Sequence, residues 1–254
     1  MGQIALVTGA SSGIGAALAR ELSARGYDLI LVARRADRMA ELARELPTSA
    51  QVIACDLASE AGALAGRVAA LGMSIDLLVN NAGFGTHGRF AEIDAAREAE
   101  EVRVNCEALV TLTHAFLPAM LERRRGGVIT IASTAGMQPL PYEAVYSATK
   151  AFARAFSDAL HAELRHSGVK VLCVNPGPVP TEWQAVAGYA ADHLPPVPGK
   201  ISAEQVARET LRAFERGRRS IIPGSVIRWY MRLNSPAPLA LKLRAIEQMY
   251  RRRL

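Results

Sequence analysis

"IALVTGASSGIG", Ile4 to Gly15, reads as an apolar strand (Ile4–Val7), a glycine-rich turn and the entry to a helix expected over Ala16–Ala24. Gly9, Gly13 and Gly15 let the backbone turn sharply and approach a ligand closely. The N–H groups and positive dipole end of the following helix would then face an anionic group. The spacing, Gly-x-x-x-Gly-x-Gly, differs from the more familiar Gly-x-Gly-x-x-Gly dinucleotide fingerprint. A glycine-rich turn can also be no more than a tight loop. Its position between an N-terminal strand and a helix is what favours a phosphate site.

Outward from this turn the chain alternates between apolar runs of strand length and longer helical patterns. Ile4–Val7, Leu29–Ala33, Gln51–Ala54, Asp76–Val79, Val128–Ala132, Val169–Val174 and Ser220–Ile222 read as strands. They are continuous apolar runs, as expected of parallel strands covered on both faces. Ala16–Ala24, Arg38–Glu45, Ala95–Leu121, Val145–His166 and Ala203–Glu215 read as helices, the last opened by a capping box of Ser202 and Gln205. The pattern predicts an α/β fold, doubly wound and Rossmann-type: a mainly parallel seven-stranded sheet with helices on both faces and right-handed crossovers. Residues 1–254 contain no repeat or linker that divides them, so one domain is expected. The prolines between Pro176 and Pro198 bar a continuous helix there. Long loops of this kind in compact domains are usually functional or mobile.

Half of the 254 residues are hydrophobic and 21% are charged, enough for a sizeable core. No run reads as long enough to span a bilayer. The N-terminus has no basic region before its apolar stretch, which argues against a signal peptide. Cys55, Cys106 and Cys173 are odd in number and widely spaced. They suit reduced thiols in a cytoplasmic protein better than disulfides or a metal site. The net charge of +6 is concentrated towards the C-terminus, in Arg216, Arg218, Arg219, Arg228, Arg232, Lys242, Arg244 and Arg251 to Arg253. A solvated basic face is the expected reading, ahead of binding to nucleic acid or anionic lipid.

The end of the second strand distinguishes between nicotinamide cofactors. An acid there would bond the adenosine ribose hydroxyls of NAD, and an arginine would pair with the 2′-phosphate of NADP. The chain reads "LVARRAD", placing Arg34 and Arg35 at that point. Guanidinium groups suit phosphate oxygens, so NADP(H) is the expected cofactor.

"YSATK" sets Tyr146 and Lys150 four positions apart, where they can meet on one face of a helix. With it the chain resembles the short-chain dehydrogenase/reductase superfamily, in its one-domain branch. The resemblance runs from Thr8 to about Thr181 through seven motifs in order. They are "TGASSGIG", "CDL" (Cys55–Leu57), "NNAG" (Asn80–Gly83), "VN" ending at Asn105, "STAG" from Ser133, "YSATK" and "NPGPVPT" (Asn175–Thr181). The resemblance implies an oxidoreductase with a catalytic group of Asn105, Ser133, Tyr146 and Lys150. An ordinary tyrosine, with a pKa near ~10, is a poor base near neutral pH. A neighbouring ammonium is expected to lower that pKa and let Tyr146 serve as acid and base. Lys150 would also bond the nicotinamide ribose, Ser133 would hold the substrate oxygen, and Asn105 would support a water linking the lysine to solvent.

The same resemblance places Ser12 and Ile14 at the cofactor phosphates and Asp56 and Leu57 at the adenine. Asn81, Ala82 and Gly83 would lie along the adenosine. Pro176, Gly177, Val179 and Thr181 would form the nicotinamide carboxamide site, with the Val179 backbone and Thr181 side chain making the contacts. It also makes residues from about 181 to 200 a substrate-covering lid. Trp183, Val186 and Tyr189 read either as an apolar wall over a substrate or as core packing, and Met137, Gln138 and Tyr142 are further candidates to line the pocket, with the same alternative. His87 is expected to be a loop residue rather than a second acid. The helices Ala95–Leu121 and Val145–His166 are those that pack between subunits in many family members, which implies a homodimer or homotetramer. The basic tail, about 224–254, puts Leu239, Leu243, Ile246 and Tyr250 near one helical face. Packing is its expected role, ahead of a subunit contact or an anionic membrane surface. The expected function is hydride transfer between NADP(H) and a small-molecule carbonyl or alcohol. The alternative is a cofactor-binding regulatory or scaffold protein with little turnover.

Overall fold

The computed structural model describes residues 2–189, 198–234 and 236–251. Part of the expected lid, 190–197, and the last arginines of the tail lie outside the described residues.

Among the described residues seven strands form one sheet: β1 (Ile4–Thr8), β2 (Asp28–Ala33), β3 (Ala50–Ala54), β4 (Leu77–Asn80), β5 (Gly126–Ile131), β6 (Val169–Val174) and β7 (Ser220–Ile221). Their order is β3-β2-β1-β4-β5-β6-β7, and every neighbouring pair is parallel. The continuous apolar runs divide by strand alternation between two cores. Ala5, Val7, Leu29, Leu31, Leu77 and Val79 face one core. Ile4, Leu6, Ile30, Val32, Leu78 and Val128 face the other. The first core is closed by α1 (Gly13–Ser23), α2 (Ala36–Glu45) and α8 (Ala203–Glu215), through residues such as Leu18, Leu22, Met39, Val206 and Leu211. The second is closed by α3 (Ala61–Ala69) and α5 (Ala108–Glu122), through Leu64, Val68, Leu112, Phe116 and Met120. The layout is the doubly wound Rossmann-type α/β fold. Strand order reverses between β1 and β4, so a crevice opens at their carboxyl ends.

The helical pattern differs from expectation in instructive places. The stretch 95–121, expected as one helix, is α4 (Ala95–Val102), a π-helical turn (Arg103–Glu107) and α5. α6 (Ala144–Glu163) carries Tyr146 and Lys150. A short helix, α7 (Trp183–Val186), opens the proline-rich segment, and α9 (Ser225–Asn234) and α10 (Leu239–Arg251) follow β7. α3 escapes the sequence reading because "AGALAGRVA" buries only Leu64 and Val68, too little for a visible period. The capping box at α8 is half formed. Ser202 accepts from the Gln205 amide at 3.2 Å, but the Gln205 side chain turns to Glu209 at 2.9 Å. Contrary to expectation, among the described residues one helical stretch, Ala95–Glu122, is long and apolar enough to cross a membrane by length and composition. Leu109, Leu112, Phe116 and Met120 of that stretch are buried in the protein, although only 33% of its most apolar part is buried.

Candidate active site

A cleft of about 460 Å³ opens at the carboxyl ends of the strands, where order reverses. One end is built by the first turn. Thr8 ties β1 to β4: its hydroxyl donates to the Val79 carbonyl at 3.2 Å and accepts from the Asn81 and Ala82 amides at 3.0 Å each. The Asn81 side chain returns the tie, donating to the Thr8 carbonyl at 2.8 Å. Gly9 has φ +65°, and a Cβ there would lie 2.8 Å from the Asn81 side-chain nitrogen, Nδ2. At Gly15 a Cβ would fall 2.2 Å from the Gly9 carbonyl oxygen. The glycines therefore allow α1 to start against the strand end with its N-terminus towards the cleft. Gly9, Ser12, Gly13 and Ile14 line the cleft, whereas Gly15 acts through packing.

At the end of β2, Arg34 and Arg35 both line the cleft. Arg35 is the one bound to the turn. Its guanidinium donates to Ser11 Oγ at 3.1 Å, Ser12 Oγ at 3.0 Å and Glu182 Oε2 at 2.8 Å. Arg34 is mostly exposed and reaches Glu100 at 3.5 Å. Arg38 joins Arg35 on Glu182, and together they hold that carboxyl down at about 2. Asp56 and Leu57 line the same end, with Asp56 Oδ1 accepting from the Ala58 amide at 3.0 Å. Ala82 and Gly83 continue the wall at the end of β4. These features fit a phosphorylated dinucleotide: a Cβ-free cradle at a helix N-terminus, with guanidinium groups beside it.

The other candidate catalytic residues converge in the middle. Ser133 follows β5 and caps a 3-10 turn, accepting from the Ala135 amide at 3.0 Å. That turn rests on α6 through Gly136, where a Cβ would lie 2.4 Å from the Lys150 carbonyl carbon. The small residues of "STAG" thus seat the helix that carries Tyr146. Tyr146 and Lys150 are both buried, at 8% and 6% exposure, and line the cleft with Ser133. Asn105 lies behind them on the π-helical turn, a local insertion that recurs at functional sites. Its side chain bonds the Phe84 carbonyl at 2.8 Å, the Phe84 amide at 3.2 Å and Thr149 Oγ1 at 3.0 Å. It lines a smaller adjoining cavity with Lys150 rather than the cleft.

The electrostatics differ from the sequence expectation. Burial pushes the Tyr146 phenol well above its ordinary value; Ser133 counters this, while Glu143 and Glu101 add to it. Lys150 does not lower it. Its ammonium donates to the Ile131 carbonyl at 3.0 Å and stands 5.9 Å from the centre of the Tyr146 ring. Burial draws Lys150 itself down to about 8, against the pull of Glu101. Glu101 is fully buried on α4, bonded by Thr86 Oγ1 at 2.8 Å, and burial raises it to about 7. Glu143 lines the cleft one turn before Tyr146, accepts from the Tyr189 hydroxyl, and burial raises it to about 8.

The remaining end of the cleft is apolar. Trp183 packs 4.9 Å from the Tyr146 ring, and Val186 and Tyr189 line the wall as expected. Gln138 also lines it, whereas Met137 and Tyr142 do not. Tyr142 instead bonds Glu247 on α10 at 3.4 Å. The His87 ring stacks on Tyr189 at 4.1 Å and does not line the cleft, which removes it from the position of a second acid. At the nicotinamide end, Pro176, Gly177, Val179 and Thr181 line the cleft. Gln184 donates to the Val179 carbonyl at 2.7 Å, and the Thr181 hydroxyl accepts from the Trp183 amide at 3.3 Å.

The sequence reading missed Tyr230 and Met231 of α9, Met249 of α10, and the acids Glu143 and Glu182. Ile246 and Tyr250, noted there only as part of the tail's apolar face, close the cleft as well. The tail therefore packs over the mouth, as its apolar spacing allowed. The acids carried no sequence signal, since glutamates at helix starts are ordinary surface residues.

The family model for short chain dehydrogenases matches residues 3–190. An uncharacterized oxidoreductase of Staphylococcus epidermidis is 36% identical over 70% of this chain and 79% of its own length. A short-chain dehydrogenase from Sphingobium yanoikuyae in complex with NADPH is 31% identical, with a TM-score of 0.82 over 91% of this chain and 92% of that one. The bulky-bulky ketone specific alcohol dehydrogenase from Comamonas testosteroni is 28% identical, with a TM-score of 0.75 over 98% and 92%. The chain belongs to the short-chain dehydrogenase/reductase family, and is an oxidoreductase of that family.

Proposed function

We propose that the protein is an NADP(H)-dependent carbonyl reductase whose substrates are bulky, apolar ketones. The observation that carries this reading is the meeting of Ser133 and Tyr146 with an apolar wall in the cleft that also holds the glycine turn and Arg35. The S. yanoikuyae relative with NADPH supports the cofactor, and the C. testosteroni enzyme supports the substrate class.

The Gly9–Gly15 turn would hold the pyrophosphate and Arg35, with Arg34, the 2′-phosphate. Asp56 and Leu57 would take the adenine, and Asn81, Ala82 and Gly83 the adenosine. Lys150 would take the nicotinamide ribose, and Val179 and Thr181 the carboxamide. NADPH, when bound, supplies the hydride that reaches the carbonyl carbon. Ser133 holds the substrate oxygen beside the phenol, and Tyr146 gives that oxygen its proton, leaving the alcohol and NADP⁺. A phenol raised by burial is fully protonated at neutral pH, which suits the acid of a reduction better than the base of an oxidation. Asn105 positions Lys150 through Thr149 and the loop at Phe84, and Trp183 and Tyr189 keep water from the reacting oxygen.

Exposed Val102, Val110 and Phe152 on α4, α5 and α6 support assembly as a homodimer or homotetramer through those helices. The three free cysteines suit a cytoplasmic location. The test is cofactor consumption across a panel of bulky and small ketones. NADPH should be used at least about tenfold more efficiently than NADH, with bulky ketones preferred. Equal use of both cofactors, or silence on every ketone, would overturn the reading.

A further inference from the structure

Beside the substrate cleft lies an apolar surface that the reductase reading does not use. On α9, Val226, Trp229, Tyr230 and Leu233 fall within an arc of about 100° at the helical repeat. They stand 55%, 60%, 39% and 74% exposed. Ile227 and Met231, on the opposite side, are buried. On α10, Leu239 and Leu241 are also exposed, at 53% and 60%, but they stand about 200° apart at the helical repeat and share no face. Single exposed apolar residues are ordinary, but four on one arc of a helix of 10 residues mark a contact surface.

The segment that carries it is one-sided in charge. Residues 224–254 hold seven basic side chains and one acid, Glu247, a net charge as large as the +6 of the whole chain. Arg232 lies 5.6 Å from the Trp229 ring centre, and both it and Arg244 are exposed. Arg228, by contrast, is engaged with Glu209 and the Ile222 carbonyl. The surface is also continuous with the cleft, because Tyr230 belongs to the exposed arc and to the cleft lining.

We propose that α9 and α10 seat the protein on the surface of an anionic bilayer. Val226, Trp229 and Leu233 enter the boundary between headgroups and acyl chains, and Arg232 and Arg244 meet the headgroup phosphates. The helices lie on the membrane rather than cross it: α9 has 10 residues and α10 has 13. At ~1.5 Å per residue neither approaches the ~30 Å hydrocarbon thickness. A second copy is a poorer occupant, since an isologous contact would set this positive surface against itself. With the cleft opening beside this surface, its substrates are lipophilic carbonyl compounds taken up from the bilayer. That part rests on the reductase reading, whereas the docking itself does not.

The test is flotation of the full chain with phosphatidylcholine vesicles, with and without phosphatidylglycerol. The protein should float with anionic vesicles only, and high salt should release it. Trp229→Ser with Leu233→Ser, and separately Arg232→Glu with Arg244→Glu, should each weaken flotation by more than about tenfold, with thermal stability and NADPH affinity retained. Absence of flotation, equal flotation on neutral vesicles, or undiminished binding by both variants would overturn the proposal. So would sedimentation showing that Trp229→Ser with Leu233→Ser splits an oligomer while vesicle binding is absent. For the substrate, anionic vesicles should lower the apparent KM of a long-chain ketone severalfold in the wild type and not in the variants. Flotation without that KM effect would leave the docking standing and remove the uptake of substrate from the bilayer.

Discussion

The two ends of the cleft are built on different terms. At the cofactor end the backbone does the work: β1 stops, glycines clear the way, and Thr8 and Asn81 lock the turn to β4. At the substrate end side chains do it: Trp183, Tyr189, Ile246, Met249 and Tyr250 fill space from the lid and from α10. The family match covers 3–190, and so takes in the first end and the start of the lid, but not α9 or α10. A backbone cradle tolerates few substitutions, whereas an apolar wall tolerates many of similar volume. The comparison predicts that the cofactor end sets whether the enzyme works and the substrate end sets what it works on.

Gly15→Ala gives the largest expected effect after loss of Tyr146. A Cβ 2.2 Å from the Gly9 carbonyl must shift α1 or the turn. NADPH binding should fall by about a hundredfold or more and stability by about 1–3 kcal/mol, read by fluorescence titration and thermal melting. Unchanged binding would break the backbone half of the comparison. Arg35→Ala should weaken NADPH by roughly ten- to a hundredfold while leaving NADH nearly unchanged. Arg34→Ala should show a smaller difference, because Arg35 is the guanidinium held on Ser11 and Ser12. Equal losses for both cofactors would remove the 2′-phosphate assignment.

Glu143→Gln sharpens the other half. The folded-state value is raised from 4.5 to about 8, so the unfolded chain gives up this proton at lower pH than the native one. The contribution favouring the fold is complete below about 4.5 and is lost as pH rises through about 8. Glu143→Gln should therefore raise Tm by roughly 3 °C or more near pH 9 and by little near pH 5. An equal gain at both would mean that packing, not ionisation, separates the two side chains. Reduction should also decline as pH rises through about 8, where the Lys150 ammonium is lost; its folded value is lowered, so the charged form is present only below that point. A flat profile from about pH 7 to 9 would remove the charged lysine from the account.

The same division explains what was legible in the sequence. Strands β1, β2 and β4 to β6 announce themselves because parallel strands buried on both faces are unbroken apolar runs, and the turn announces itself through its glycines. Arg35 was readable from its position after β2. Its actual partners, Ser11, Ser12 and Glu182, were not, because Glu182 lies 147 residues away in sequence. The π-helical turn at Asn105 left no trace, since its residues fit a regular helical pattern equally well. The direction of the Tyr146 shift was misjudged for a related reason: four-residue spacing places Lys150 on the same face but not its ammonium, which goes to Ile131. The burial that dominates instead accompanies the packing of Tyr146 with Ala135, Leu140, Trp183 and Ile246, of which Ile246 comes from α10, about a hundred residues further along the chain.

The most direct test of the central claim is the rate of ketone reduction by Tyr146→Phe saturated with NADPH. The substitution removes only the hydroxyl from a ring packed against Trp183, so the cleft and the cofactor site keep their shape. Turnover should fall by about a thousandfold with NADPH affinity unchanged. Turnover within tenfold of the wild type would mean that another group supplies the proton, and that Ser133 and Tyr146 are not the chemistry this cleft was built around.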